Sequence, residues 1–145
     1  YVPQILAYAA VDDCGNVINP KIVAGQVHGA TAHGIGAAMM EAYIYDKEAN
    51  LLTSTFTDYT PITVMNMPDL AYGDIETPSP FSYNGAKGMG EGGGAPLHTI
   101  CAAIQDALFD KGVVVRNTFN PPSDIYRLLK NPNWAECVKV ERRAA

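Results

Sequence analysis

Asn84-Gly85-Ala86-Lys87-Gly88-Met89-Gly90-Glu91-Gly92-Gly93-Gly94 is the stretch on which the reading of this 145-residue chain turns. A loop so rich in glycine reaches backbone angles closed to other residues and can lie flat against a ligand. It runs directly into residues 95–110 (APLHTICAAIQDALFD), the clearest helix in the chain. Free N–H groups and the positive end of the helix dipole gather at such a junction. One carboxylate, Glu91, stands in the middle of the loop with no bulky neighbour to shield it. Packed against a ligand, it points either at that ligand or away into solvent. A poorly solvated carboxylate holds a proton more tightly, which suits a general base. The plainer alternative is that Glu91 only stabilises the N-terminus of the helix that follows.

Gly88, Gly90 and Gly93 also match GxGxxG. A dinucleotide fold needs a hydrophobic strand before that motif and an acidic strand end about 20 residues after it. Residues 78–87 are not a hydrophobic strand, and no convincing acidic strand end follows. A phosphate- or nucleotide-binding module is therefore the weakest of the competing functions.

Outward from the loop, the expected elements alternate. Residues 4–12 (QILAYAAVD) read as a buried strand, followed by a turn at Asp12, Asp13, Gly15 and Asn16. A helix is predicted from just after Pro20 to about Tyr45, with Val23, Val27, Ala30, Ile35, Met39, Ala42 and Tyr43 near helical spacing. It carries Gly25, Gly29, Gly34 and Gly36, each costing about 1 kcal/mol relative to Ala inside a helix. Those glycines imply either tight packing against another element or close approach of a cofactor or second chain. Residues 46–50 read as a polar turn, 51–57 (LLTSTFT) as a Thr-rich strand, and 70–77 as holding a short strand. In the 95–110 helix, Pro96 occupies the first turn and Gly112 is the expected stop. Residues 113–115 (VVV) look strand-like, and a short helix follows through Leu129 with Ser123 as candidate cap. The tail after Pro132 gives no clear element. The resulting fold class is α+β, with mixed short strands and two main helices.

Composition narrows the function. Hydrophobic residues make up 48% and charged residues 17%, the proportions of a chain with a buried core. The formal net charge is -5 with no basic run, so nucleic acid is not an expected partner. No apolar run approaches the roughly 20 residues needed to span a bilayer. Cys14, Cys101 and Cys137 are widely spaced, without a CxxC, which points to neither a zinc ribbon nor a cluster site. They favour a reducing, cytoplasmic setting. His28 and His33 lie five apart and do not share a helix face as a metal pair would. With His98 they read as structural or surface residues. Tyr43, Tyr45, Phe56 and Tyr59 are expected in the core or at an interface. The chain opens on Tyr1 with strand-like sequence, an expectation that more polypeptide precedes it.

AKGMGEGG resembles the active-site loop of the xanthine dehydrogenase/aldehyde oxidase-type molybdenum hydroxylases, whose form is roughly (V/A)KGxGE. Two further stretches match in order: VDDCGNVINP, residues 11–20, resembles the family's turn before a long helix, and GQVHGATAHGIGAAMMEA, from Gly25, resembles that helix with its opening glutamine. The following helix and PPSDIYRLL complete a pattern covering nearly the whole chain.

The resemblance implies that residues 1–145 are the C-terminal part of the molybdopterin-binding domain of a large subunit. It implies Glu91 as the catalytic base beside the molybdenum. It implies Gln26 as a hydrogen-bonding partner of the pterin, whereas a lone Gln near a helix start reads otherwise as a cap or surface residue. Lys87, Gly88, Met89 and Gly90 would line the same site through backbone N–H groups, Lys87 serving otherwise as a support for the loop. No residue of this chain is expected to ligate the metal directly. The implied cofactor is a molybdenum-pterin, as the cytosine dinucleotide, with iron–sulfur clusters and FAD on partner domains or subunits. The implied partners are the upstream part of the same subunit, the iron–sulfur and flavin subunits and a small-molecule substrate. The implied reaction oxidises a C–H bond of an aldehyde, N-heterocycle or aromatic compound with water as oxygen source, and the segment alone would be inactive. Gly92-Gly93-Gly94 departs from the proline-containing sequence of xanthine dehydrogenases proper, toward carbon monoxide dehydrogenase-like subunits and the aromatic or N-heterocycle hydroxylases. The rival from another class is a non-catalytic assembly or interaction domain that keeps the fold.

Overall fold

A computed structural model describes residues 1–92 and 94–132. Gly93 and the tail from residue 133 onward, Cys137 included, lie outside the described residues. The elements are β1 (Tyr8–Asp12), α1 (Pro20–Met39), α2 (Phe56–Tyr59), β2 (Leu70–Asp74), α3 (Gly94–Ala107) and α4 (Pro122–Lys130). Single 3-10 turns lie at Val64–Asn66 and Phe109–Lys111.

The long helix begins as its sequence demands. Asn19 caps α1, its side-chain oxygen accepting from Lys21 N at 3.1 Å and Ile22 N at 3.3 Å, and Pro20 takes the first position, where no N–H is missed. Val23, Val27, Thr31, Ile35 and Ala38 form its buried stripe. The helix stops at Met39, six residues before the predicted end. Met40 N and Glu41 N both donate to Gly36 O, and the Glu41 carboxylate folds back over Gly36, accepting from Tyr59 OH at 3.0 Å and Ile62 N at 3.2 Å. A Cβ on Gly36 would overlap that carboxylate, so a side chain here would displace Glu41 from its bonds to Tyr59 and Ile62. Apolar spacing at Ala42 and Tyr43 continues past the break because it cannot register an acid turning backward.

The core lies between α1 and α3. Ile35 and Ala38 meet Ile100 and Ile104, and Ile125 of α4 closes the cluster. β1 and β2 run parallel, Tyr8 opposite Leu70 through Asp12 opposite Asp74. A parallel pair requires a long crossover, supplied here by α1 and the segment after it. Residues 4–7 lie outside β1, and no residue of β1 is fully buried, so the predicted buried strand is a short, half-buried one.

Three other expectations fail. Within 51–57, Leu51 forms only an isolated bridge with Tyr45. Thr55 instead caps α2, accepting from Asp58 N and donating to the Asp58 carboxylate at 2.7 Å. Such local side-chain bonds compete with a strand. Residues 113–115 have strand-like composition, but their backbone pairs with a side chain: Gln105 Nε2 donates to Val113 O at 2.8 Å and Val115 N to Gln105 Oε1 at 2.7 Å. Ser123 is not the cap of α4. The helix starts one residue earlier, and Pro121 O accepts from Asp124 N and Ile125 N. Tyr43, Tyr45 and Phe56 are exposed, so of the two places expected for them, core or interface, the core is excluded.

Candidate functional site

The turn after β1 and the loop before α3 are joined edge to edge. Gly15 and Ala86 form an antiparallel bridge. Lys87 N donates to Cys14 O at 2.7 Å, and Asn16 N to Gly85 O at 3.2 Å. The Asn16 side chain donates to Asn84 O at 2.7 Å. Gly15 and Gly85 have φ of +66° and +73°, the region only glycine enters at low cost. A Cβ on Gly15 would run into the Gly85 carbonyl.

Asp13 sits at the centre of this junction. Its carboxylate accepts from Gly15 N at 2.8 Å, from Thr77 N at 3.2 Å and from the Thr77 hydroxyl. Lys87 Nζ reaches the same carboxylate at 2.9 Å and Thr77 Oγ1 at 2.6 Å. The Thr77 hydroxyl, the Lys87 ammonium and the Gly15 N–H together hold the Asp13 carboxyl well below the usual carboxylate range.

Past Lys87 the loop is freed from this junction. Gly92 rests on α1, where a Cβ built on it would come 3.1 Å from Ala30 Cβ. Ala30 lies one helical turn beyond Gln26 on the same face. The structure therefore sets the glutamate loop alongside the Gln26 face of α1. The backbone N–H groups of residues 88–91 donate to no other described residue, and the Gln26 and Glu91 side chains, both exposed, are also unpaired among those residues. Met89 is half-buried and borders two cavities of about 180 Å³ each. One lies toward Cys14, Asn19 and Val23, the other toward β1, Thr31 and Pro96. A third cavity, about 610 Å³, lies away from the loop, between residues 1–8 and the helices α3 and α4. Its walls are mainly aliphatic, so volume and proton-transfer chemistry part company here, and the site follows the chemistry.

Each sequence-derived candidate can now be placed. Gly88, Met89, Gly90, Glu91 and Gln26 lie along one loop and the helix face next to it. Lys87 does not join them: its ammonium faces Asp13 and Thr77, and its N–H is committed to Cys14 O. That corrects the expectation that Lys87 offers a backbone donor to a ligand and leaves it the supporting role. His28, His33 and His98 are exposed. Among the described residues no three His, Cys, Asp or Glu side chains gather as a metal site would require. Asp13 and Thr77 were missed as partners of Lys87. They lie 74 and 10 positions from it, and no periodicity links them. The segment before GxGxxG consists of turns and one bridge, not a strand, so the dinucleotide reading lacks its structural context.

A family profile described as a molybdopterin cofactor-binding domain matches residues 1–68. The chain is 40% identical over 123 residues to the nicotine 6-hydroxylase large subunit of Paenarthrobacter nicotinovorans, covering 83% of this chain and 15% of that one. It is 35% identical over 135 residues to the carbon monoxide dehydrogenase large chain of Hydrogenophaga pseudoflava, covering 91% and 17%. Quinoline 2-oxidoreductase from Pseudomonas putida 86 superposes with a TM-score of 0.81 at 41% identity, over 85% of this chain and 16% of that one. The chain belongs to the molybdopterin-binding subunits of the xanthine dehydrogenase/aldehyde oxidase-type molybdenum hydroxylases. Its α+β architecture is that of their cofactor-binding domain. The chain spans about one sixth of the length of these relatives.

The residues present fit such a cofactor. Cβ atoms built on Gly25, Gly29, Gly88 and Gly90 meet no described atom within 4 Å, so among the described residues the surface beside Gln26 and Glu91 is open and carries few side chains. It also presents backbone N–H groups and a primary amide that lack partners among the described residues. A flat ring system rich in oxygen and nitrogen needs both.

Proposed function

We propose that this chain is the C-terminal part of the molybdopterin-binding domain of a molybdenum-dependent hydroxylase, and that Glu91 is its general base. The observation that carries the reading is the contact of Gly92 with Ala30, which lays the glutamate loop on α1 one turn from Gln26. The net reaction would convert R–H and water to R–OH, releasing two protons and two electrons. The bound cofactor would supply Lewis acidity and take up the electron pair. This chain's residues would do the rest. The N–H groups of Gly88, Met89 and Gly90 would hold acceptor atoms of the cofactor. The Gln26 amide would donate and accept at the pterin edge. The Glu91 carboxylate would take up the proton lost from the attacking oxygen. Glu91 is exposed in this chain, so the poor solvation a base needs would come from cofactor and neighbouring polypeptide closing over the loop.

Two relatives are named as a large chain and as a subunit of a complex, which supports partner subunits; iron–sulfur clusters and FAD would sit on those. The dinucleotide would be the cytosine form. Sparse cysteines support the cytoplasm, and no helix among the described residues is long and apolar enough to cross a membrane. The substrate would be a small aldehyde, N-heterocycle or aromatic compound. Glu91→Gln in the assembled enzyme tests the proposal: turnover should be lost while molybdenum and pterin contents match the wild type. Full turnover in that variant would overturn Glu91 as the base.

A further inference from the structure

Lys87 belongs to the glutamate loop's motif, yet both of its polar groups turn away from the open surface. We propose that Asp13, Thr77 and Lys87 form a clasp that positions Glu91: they lock the root of the loop to the turn that launches α1, so that the free part of the loop must leave toward the Gln26 face. The proposal rests on the reading of Glu91 given above, and it concerns positioning residues only.

Three features support it. First, the clasp joins three separate places in the chain: the turn after β1, the segment after β2 and the loop before α3. Asp13 is bonded by all three, through Gly15 N, Thr77 and Lys87 Nζ. Second, the clasp sits where pairing ends. Residues 85–87 are tied to residues 14–16 by backbone bonds, whereas the N–H groups of residues 88–91 donate to no other described residue. A loop of small residues with no internal bonds inherits its direction from its root and from the Gly92 contact with Ala30. Third, the clasp is an ion pair with hydroxyl support, its lysine and aspartate side chains 36% and 31% exposed. An isolated pair this open adds little to stability. Its geometry is nonetheless specific, with one carboxylate receiving two backbone N–H groups, a hydroxyl and an ammonium. Small displacements of a reacting group cost rate steeply, about a hundredfold for 1 Å, so orientation is where such a device would act.

The test uses the assembled, molybdenum-loaded enzyme and needs no substrate. Asp13→Asn, Lys87→Met and Lys87→Arg are each reduced with dithionite, and the Mo(V) electron paramagnetic resonance spectrum is compared with wild type at equal molybdenum content. A second readout uses the metal-free protein: the rate of trypsin cleavage after Lys87 in Asp13→Asn. The expected result is an altered Mo(V) spectrum in Asp13→Asn and Lys87→Met at full metal content. The double variant should be no more altered than either single one. Lys87→Arg should return most of the wild-type spectrum, and trypsin should cut Asp13→Asn severalfold faster. Unchanged spectra in both disrupting variants would overturn the clasp, as would effects that simply add in the double variant. Glu91→Gln in parallel separates the two claims. If it perturbs the spectrum and the clasp variants do not, only the clasp fails. If Glu91→Gln also retains full turnover, the reading of Glu91 fails first and the clasp with it.

Discussion

Asp13 shows how one side chain can carry pH dependence for a whole junction. Its carboxyl is held below the usual range by the Thr77 hydroxyl first, then by Lys87 and the Gly15 N–H. The folded value therefore lies below the unfolded one, near 3.9. The stabilisation is fully present above that unfolded value and disappears as pH falls through the folded one. A pair this open adds little to stability, so acid titration of the melting temperature should show only a small loss from this group below about pH 5, beside that from Asp46, whose carboxyl the Asn50 side chain also lowers. In Asp13→Asn the acid limb should flatten slightly, with the neutral-pH melting temperature little changed; an identical acid limb in the variant would show that Asp13 contributes nothing to it. Gly85 gives a second expectation at this scale. Its φ is +73°, and Asn16 Nδ2 and Pro78 Cβ lie 2.8 Å and 2.9 Å from where an alanine methyl would sit. Gly85→Ala therefore combines about 1–2 kcal/mol of left-handed backbone cost with a steric one. Its urea midpoint should fall clearly below that of Gly88→Ala, which meets no atom.

Among the elements, α1 sets stability against function. Its buried stripe is ordinary, but Gly25 and Gly29 are exposed, and a Cβ built on either meets no described atom within 4 Å. Packing among the described residues does not explain them, whereas Gly36 lies against Glu41. Replacing either exposed glycine with alanine should stabilise the helix by about 0.5–1 kcal/mol. If the open face receives the cofactor, the same change should lower molybdenum loading of the assembled enzyme. A higher melting temperature with unchanged loading would mean that the cofactor does not approach there. The legible and illegible parts of the fold divide along the same line. Pro20 with its Asn19 cap and the apolar stripe of α3 are local signals and could be read directly, whereas Gly112 closes not α3, which ends at Ala107, but the 3-10 turn after it. So could the glycine loop with its carboxylate, because composition alone sets it apart. The end of α1 depends on Glu41 reaching Tyr59 and Ile62, and the backbone partner of residues 113–115 is the side chain of Gln105. Both are choices between a local pattern and a distant polar group, and a linear pattern records only the first. The root of the glutamate loop was hidden for the same reason.

For the molecule as a whole, the balance of buried and exposed apolar residues is unusual. Among the described residues, ten hydrophobic side chains are buried while twenty large ones are exposed, so apolar surface exceeds what this small core can hide. Single exposed apolar residues are ordinary. Here they cluster: Tyr43, Ile44, Tyr45, Leu51 and Leu52 follow α1, and Phe81 and Tyr83 project fully from the loop beside the site. The 610 Å³ groove under residues 1–8 adds a further uncovered aliphatic face. Contiguous apolar surface of this kind marks contact with other polypeptide, in keeping with a chain spanning about one sixth of its relatives. Produced alone, residues 1–145 should bind the dye ANS strongly and self-associate in light scattering, and Ile35→Ala, which removes a fully buried side chain between α1 and α3, should cost about 2–5 kcal/mol and leave little folded chain. Co-production with the remainder of a large subunit should abolish both dye binding and self-association. A monodisperse, ANS-silent chain would mean that these faces are covered from within, and would remove the reason to look for neighbouring polypeptide around Glu91.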